Sequence, residues 1–110
     1  MKKNPAMTNN QASIYARADL SVSPEIKSIL PDVLVEYLWQ MALGGNWQQH
    51  DQQLFVLESV ELCGRKIQDI RHFCDDDIAT DKRRIYGVEP ICCRLQVQLS
   101  PEVCRMALCA

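Results

Sequence analysis

The chain has 110 residues, which fits one domain, and its 47% hydrophobic content suffices for a single core but excludes a second folded unit. Its 12 basic and 14 acidic residues give a formal net charge of −2, which argues against nucleic acid as the partner because phosphate binding usually requires a basic surplus. No apolar run approaches the roughly 20 residues that cross a bilayer. The stretch after Met1 is polar and does not resemble a secretory signal, so we expect a cytoplasmic protein without membrane contact.

The first 30 residues give weak structural signals. Residues 1–12 are polar and predict a disordered leader, so we expect one domain over residues 13–110. Residues 13–20 favour a short first strand, and residues 21–30 fit a connection or a single helical turn.

The clearest predicted helix covers residues 31–43. Pro31 suits its first turn, where the missing N–H has no partner within the helix. Apolar residues recur at spacings of four and three and form one stripe: Leu34, Leu38 and Met41. Gly44 and Gly45 follow and predict a left-handed stop.

Later segments have the alternation of strands: residues 53–62, 66–73, 91–99 and, more weakly, 84–88. Cys63-Gly64 is a turn signal that joins the first two into an antiparallel hairpin, with a bulge as an option in the second. Residues 74–81 predict an exposed loop, and residues 103–109 fit either a last strand or a helical turn. We therefore expect an α+β fold, with an antiparallel sheet of about four to six strands and one main helix packed on one face.

The cysteines are numerous for this length: Cys63, Cys74, Cys92, Cys93, Cys104 and Cys109. In a reducing compartment, buried free thiols are the favoured interpretation. A zinc site would need ligand pairs, and the chain offers only His72 with Cys74 and the adjacent Cys92-Cys93, whose side chains would point to opposite faces of a strand. We expect no metal and no other cofactor, and keep a zinc-binding or thiol-dependent protein as the alternative.

No catalytic motif is recognisable, so we do not expect an enzyme. The sharpest enzymatic alternative pairs His72 with Cys74, Cys92 or Cys104, but none of these cysteines begins a predicted helix that would lower the pKa of its thiol.

Two segments favour contact with a protein partner. Trp47 stands in a polar setting and predicts either an exposed hot spot or a cap over the core edge. An acidic run followed by a basic run makes a dipolar segment, which is either a salt-bridged loop or an electrostatic docking patch. The candidate partner-binding residues are Trp47, Asp75, Asp76, Asp77, Lys82, Arg83 and Arg84.

The sequence leaves two other kinds of binding open, namely pairing of two copies of the chain and binding of nucleic acid. An exposed sheet edge could pair two copies into a homodimer. A nucleic-acid-binding module, the remaining alternative, would require six cations to converge on one face: Arg65, Lys66, Arg71, Lys82, Arg83 and Arg84.

Several short motifs resemble a small bacterial family, domain of unknown function 960. Pro31 followed by Leu38-Trp39 is similar to its "IP…LQ…LW" helix, and Asp51 with residues 54–56 to its "DYLQVF" strand. Residues 68–72 are similar to its "Q-x-I-x-H" strand, and residues 94–97 and 106–108 fall where that family has its last pair of strands.

The likeness covers most of residues 14–109 and departs in three places. Residues 20–29 look inserted, residues 73–76 replace a Gln-Glu-x-Pro segment, and residues 100–102 replace an Asp-Asp-Gly turn. The resemblance implies a compact α+β fold and supplies no reaction.

The leading hypothesis is a non-catalytic protein-binding domain. Because small orphan domains often travel on phages and plasmids, its specific form is an inhibitor of a host nuclease or defence complex, such as an anti-CRISPR protein.

Overall fold

The computed structural model describes residues 18–74 and 80–109. In chain order the elements are β1 (Asp19–Val22), α1 (Pro24–Ile29), α2 (Asp32–Leu43), a 3-10 helix (Gly45–Gln49), β2 (Gln52–Leu62), β3 (Arg65–Cys74), β4 (Thr80–Ile85), β5 (Cys93–Gln98) and β6 (Val103–Leu108). The predicted leader, residues 13–17 of the predicted first strand and the candidate residues Asp75, Asp76 and Asp77 lie outside the described residues. None of the helices in the described residues is both long and apolar enough to cross a membrane.

The strands form one six-stranded sheet in the order β1-β6-β5-β2-β3-β4. β1 runs parallel to β6, whereas every other neighbouring pair is antiparallel. The predicted α+β class is therefore confirmed, but the prediction of a purely antiparallel sheet is wrong. The physical reason is the helical connection after β1: α1 and α2 carry the chain back to the end of the sheet where β1 began, so β2 runs in the same direction as β1.

The helices follow local sequence signals. The Ser23 hydroxyl accepts a hydrogen bond from the Ile26 N–H at 3.4 Å, and Pro24 occupies the first turn of α1, so residues 24–29 form a short helix. α2 matches the predicted helix and buries the predicted stripe. The left-handed residue after it is Gly45, with φ +54°, while Gly44 is extended.

The β2–β3 hairpin keeps an unbroken register from Gln53–Cys74 to Leu62–Arg65, so it contains no bulge. Cys63 and Gly64 both have positive φ, 53° and 79°, as a two-residue type I′ turn requires.

The strand predicted at residues 84–88 is displaced along the chain. β4 begins at Thr80 and ends at Ile85, so Lys82, Arg83 and Arg84 belong to an edge strand rather than flanking a loop. Edge strands commonly carry charged side chains because one side of the strand is open to solvent. A search for alternating apolar residues therefore placed this strand at the wrong residues. Of the two options for residues 103–109, the strand is the one observed.

Most of the core lies on one face of the sheet, and Ile67 is the buried hydrophobic residue of the described strands on the other. The side chains buried against the helices come from alternate strand positions: Phe55, Leu57, Ile70, Leu95, Val97, Cys104 and Met106. We call this the helix face and the opposite side the open face, because no helix of the described residues packs there. Cys93, Leu95, Val97 and Leu99 share the helix face, as their alternation predicts.

Candidate partner-binding surfaces

Trp47 contacts a buried aromatic stack. Its ring lies 3.5 Å from that of His72, centroid to centroid, with 16° between the planes. On the other side of His72, Phe55 stacks at 4.1 Å and 14°. Trp47 is half-buried, and this packing corresponds to the second role predicted for it, a cap over the core edge. Its role as a partner contact stays a prediction.

Gln53 connects this stack to the helices. The two hydrogens of its amide nitrogen are shared among the backbone carbonyls of Ala42 at 3.0 Å, Trp47 at 2.9 Å and His50 at 2.9 Å. The amide oxygen therefore accepts the hydrogen bond from His72 Nε2, which assigns the imidazole proton to that nitrogen. One buried side chain thus ties the end of α2 and the 3-10 helix to the sheet.

His72 is a packing residue in this arrangement. Burial lowers the pKa of His72 from 6.5 to about 3, with Asp81 opposing the shift and His50 and Arg83 adding to it. The imidazole is therefore neutral at physiological pH, and its Nδ1 atom has no hydrogen-bond partner among the described residues. An imidazole covered on both ring faces is poorly placed for general acid–base chemistry.

The basic run predicted as part of a docking patch, residues 82–84, is divided between the two faces of the sheet. Because side chains alternate along β4, Lys82 and Arg84 lie on the open face and Arg83 lies on the helix face. There Arg83 pairs with Asp81, Nη2 to Oδ2, at 2.9 Å. On the open face Arg84 Nε lies 3.4 Å from Oδ1 of the buried Asp69. The three cations therefore do not form a single patch.

A groove of about 780 Å³ crosses the open face. Its floor is made of half-buried side chains: Leu54, Val56, Val60 and Phe73. Val56 pairs in register with both Arg71 on β3 and Arg94 on β5, so a guanidinium flanks the floor on each side. Arg71 Nη2 also binds Glu58 at 2.8 Å.

A second groove, of about 680 Å³, lies between β1 and the outer side of α2. Its apolar lining comes from Leu20, Val22, Val35, Trp39 and Leu43. Lys27, Asp32 and Glu36 also line it. Leu20 keeps 49% of its surface exposed, so its side chain is accessible from the groove.

The groove adjoins the outer edge of β1, which pairs with no further strand of residues 18–74 and 80–109. Asp19 N–H donates to the Glu102 carbonyl and Ser23 N–H donates to the Met106 carbonyl, both at 3.0 Å. In a parallel pair the alternate residues bond to the same neighbour, so the N–H and C=O groups of Leu20 and Val22 point away from the sheet. Within the described residues, the sheet therefore ends in unpaired backbone groups directly beside an apolar groove.

No disulfide joins the cysteines of the described residues, and their exposure differs. Cys74 and Cys104 are buried, so the prediction of thiols as core filling is correct for these two. Cys63 and Cys92 are exposed, and the other two are half-buried. No group of three potential metal ligands occurs within residues 18–74 and 80–109.

Sequence reasoning missed both grooves. Arg94 is isolated among apolar residues in the sequence and joins the other cations only through the pairing of β5 with β2. The signal available was the polar side of the alternating segment 91–99, on which Arg94 lies with Gln96 and Gln98.

The comparisons support the fold alone. No family model matches the chain, and no curated protein matches it. The chain is similar to the crystal structure of a protein of unknown function from Enterococcus faecalis, with a TM-score of 0.65 and 13% identity. The match covers 87% of this chain and 92% of that one. The resemblance to domain of unknown function 960 stays a prediction.

Proposed function

We propose that this chain is a non-catalytic protein-binding domain that holds an extended segment of a partner protein along the free edge of β1. The observation that supports this is the apolar groove beside the backbone of Leu20 and Val22, whose outward groups pair with no strand of the described residues.

The two features recognise different parts of a strand. The outward N–H and C=O groups of Leu20 and Val22 pair with any extended backbone and thus provide affinity independent of sequence. The groove takes side chains from the incoming strand at alternate positions, because those positions lie on the helix face beside Val35 and Trp39. A segment with apolar residues at every second position fits both requirements.

The test begins with a phage-displayed library of random peptides selected on the immobilised protein. Selected peptides are expected to alternate apolar and polar residues. Binding of the synthesised peptides should weaken at least tenfold in Leu20→Lys, because lysine removes apolar surface from the groove and places a charge there. The amides of Leu20 and Val22 should gain protection from hydrogen exchange when a peptide binds.

Val33→Lys is the matched control. Val33 belongs to the same helix as Val35, is 63% exposed and does not line the groove. Selected peptides should bind Val33→Lys and the unchanged protein equally. Peptides that bind Leu20→Lys as tightly as the unchanged protein would refute the assignment to β1.

The inhibitor hypothesis is a narrower form of this proposal. If the partner is a host nuclease or defence complex, as for an anti-CRISPR protein, the domain must reduce DNA cleavage by that enzyme in a purified assay. Leu20→Lys should then abolish the inhibition and Val33→Lys should retain it. Inhibition that survives Leu20→Lys would separate the inhibitor hypothesis from the β1 edge.

A further inference from the structure

We propose that the open face is a binding site for single-stranded nucleic acid, with phosphates held by Lys82, Arg71 and Arg94. This site is separate from the β1 edge and does not depend on the proposed protein partner.

The open face is basic although the whole chain carries a formal charge of −2. The strand registers place six cations on it: Arg65, Arg71, Lys82, Arg84, Arg94 and Arg105. The strands of the described residues place three acids there: Asp19, Glu58 and Asp69. Two of these acids pair with Arg71 and Arg84, so the open face as a whole keeps a positive surplus.

Three of the cations form a row across the sheet. Lys82 pairs with Arg71, Arg71 with Val56, and Val56 with Arg94, on the successive strands β4, β3, β2 and β5. At about 4.8 Å between strands the row spans about 14 Å. Arg71 Nε is buried without a hydrogen-bond partner among the described residues, so one donor of the row is unsatisfied by the protein.

An apolar row runs beside the cations. Phe73 and Leu54 pair in register, two residues along their strands from Arg71 and Val56. Both are half-buried and line the groove. A phosphodiester chain on the cation row would bring its bases over this apolar row, and bases stack on aromatic rings with little dependence on sequence.

The same geometry disfavours an acidic protein segment as the occupant. β2, β3 and β5 are paired on both sides, so the groove offers no strand edge to the backbone of a peptide. Two of the three cations are arginines, whose guanidinium groups bind phosphate and carboxylate oxygens alike, so the ring of Phe73 beside them is what distinguishes a nucleotide from an acidic peptide. The chemistry therefore favours phosphates joined to flat bases.

The experiment measures fluorescence anisotropy of labelled oligothymidylate and oligouridylate of about 15 nucleotides. Saturable binding is expected at about 50 mM salt, and log K should fall against log salt with a slope of about −2, because each single-strand phosphate contact contributes about −0.7. Arg94→Gln and Lys82→Gln should each weaken binding roughly fivefold and reduce the slope by about 0.7.

Arg83→Gln supplies the matched control. It removes the same charge from the strand that carries Lys82, but on the helix face. Affinity should be unchanged in Arg83→Gln, and all three variants should unfold at the same urea concentration as the unchanged protein because each side chain is exposed.

Each remaining outcome overturns the proposal. Absence of saturable binding at low salt would eliminate the site. An equal loss in Arg83→Gln would show nonspecific attraction by net charge. Equal or tighter binding of duplex DNA would exclude base stacking on Phe73, and competition by polyglutamate at equal charge concentration would identify the face as a site for acidic protein segments.

Discussion

At the scale of single residues, His72 is buried away from water, stacks on the rings of Trp47 and Phe55 and binds the amide of Gln53. Its pKa is lowered to about 3 by burial, while in the unfolded chain it is near 6.5. The unfolded state therefore binds more protons at every pH between these values, and acid favours unfolding. Because the neutral form is the one that packs, the contribution is fully present above pH 6.5 and is lost as pH falls towards 3.

We therefore expect the free energy of unfolding to decrease by about 2 kcal/mol between pH 7 and pH 5 from this group. Urea titrations at pH 5, 6 and 7 measure it. His72→Phe keeps a ring between Trp47 and Phe55 and removes the titrating group, so its stability should be nearly level over this range. A slope that persists in His72→Phe would assign the pH dependence to another group.

Gln53 gives a second prediction at this scale. Gln53→Leu leaves three backbone carbonyls and His72 Nε2 without the partner they have now, and buried unsatisfied groups are costly. We expect a loss on the order of 3 kcal/mol in the free energy of unfolding, measured by urea titration.

Gln52→Leu is the control for Gln53→Leu. Gln52 is the exposed neighbour on the open face, and its change should stay within about 0.5 kcal/mol. Equal losses in the two variants would mean that the hydrogen bonds of Gln53 do not stabilise the fold.

At the scale of elements, the tight turn between β2 and β3 carries a residue poorly suited to it. Cys63 has φ 53°, a conformation in which side chains other than those of asparagine and aspartate are strained. Cys63→Asn creates the Asn-Gly pair that type I′ turns prefer, and should raise the free energy of unfolding by about 0.5–1 kcal/mol.

Cys63→Ala tests the cause of that gain. Alanine removes the same exposed thiol but keeps the strain of the left-handed conformation, so it should not stabilise the protein. If alanine stabilises as much as asparagine in the same urea titrations, the gain comes from losing the thiol rather than from relieving the backbone.

The elements differ in how far sequence predicts them. α2 and the β2–β3 hairpin are predicted well because their periodicity, caps and turn lie within a short stretch of chain. The parallel pairing of β1 with β6 joins residues 19–22 to residues 103–106, and no local pattern encodes a contact at that separation.

The same difference applies to the candidate surfaces. The alternation of β4 would have separated Arg83 from Lys82 and Arg84, had the strand been placed correctly. Gln53 carried a readable signal, since it is a polar residue in phase with the buried Phe55 and Leu57. The convergence of Arg94 with Arg71 depends on strand order and could not be predicted from sequence.

At the scale of the whole molecule, the one-sided core places the six thiols in different environments. Cys74 and Cys104 are buried, whereas Cys63 lies in the hairpin turn and Cys92 lines the groove of the open face. Burial also raises the pKa of the Cys104 thiol, which lowers the fraction of reactive thiolate. The fold should therefore set the order of chemical labelling.

We expect a short pulse of iodoacetamide on the reduced native protein to label Cys63 and Cys92 first and to leave Cys74 and Cys104 unlabelled. Peptide mass spectrometry identifies the modified sites, and the same pulse in urea should label all six because unfolding exposes every thiol. Native labelling of Cys104 as fast as that of Cys63 would contradict the packing of β6 beneath the helices. If labelling follows the expected order, a thiol-dependent activity should involve Cys63 or Cys92, because a buried thiol is out of reach of a substrate or oxidant unless the protein unfolds.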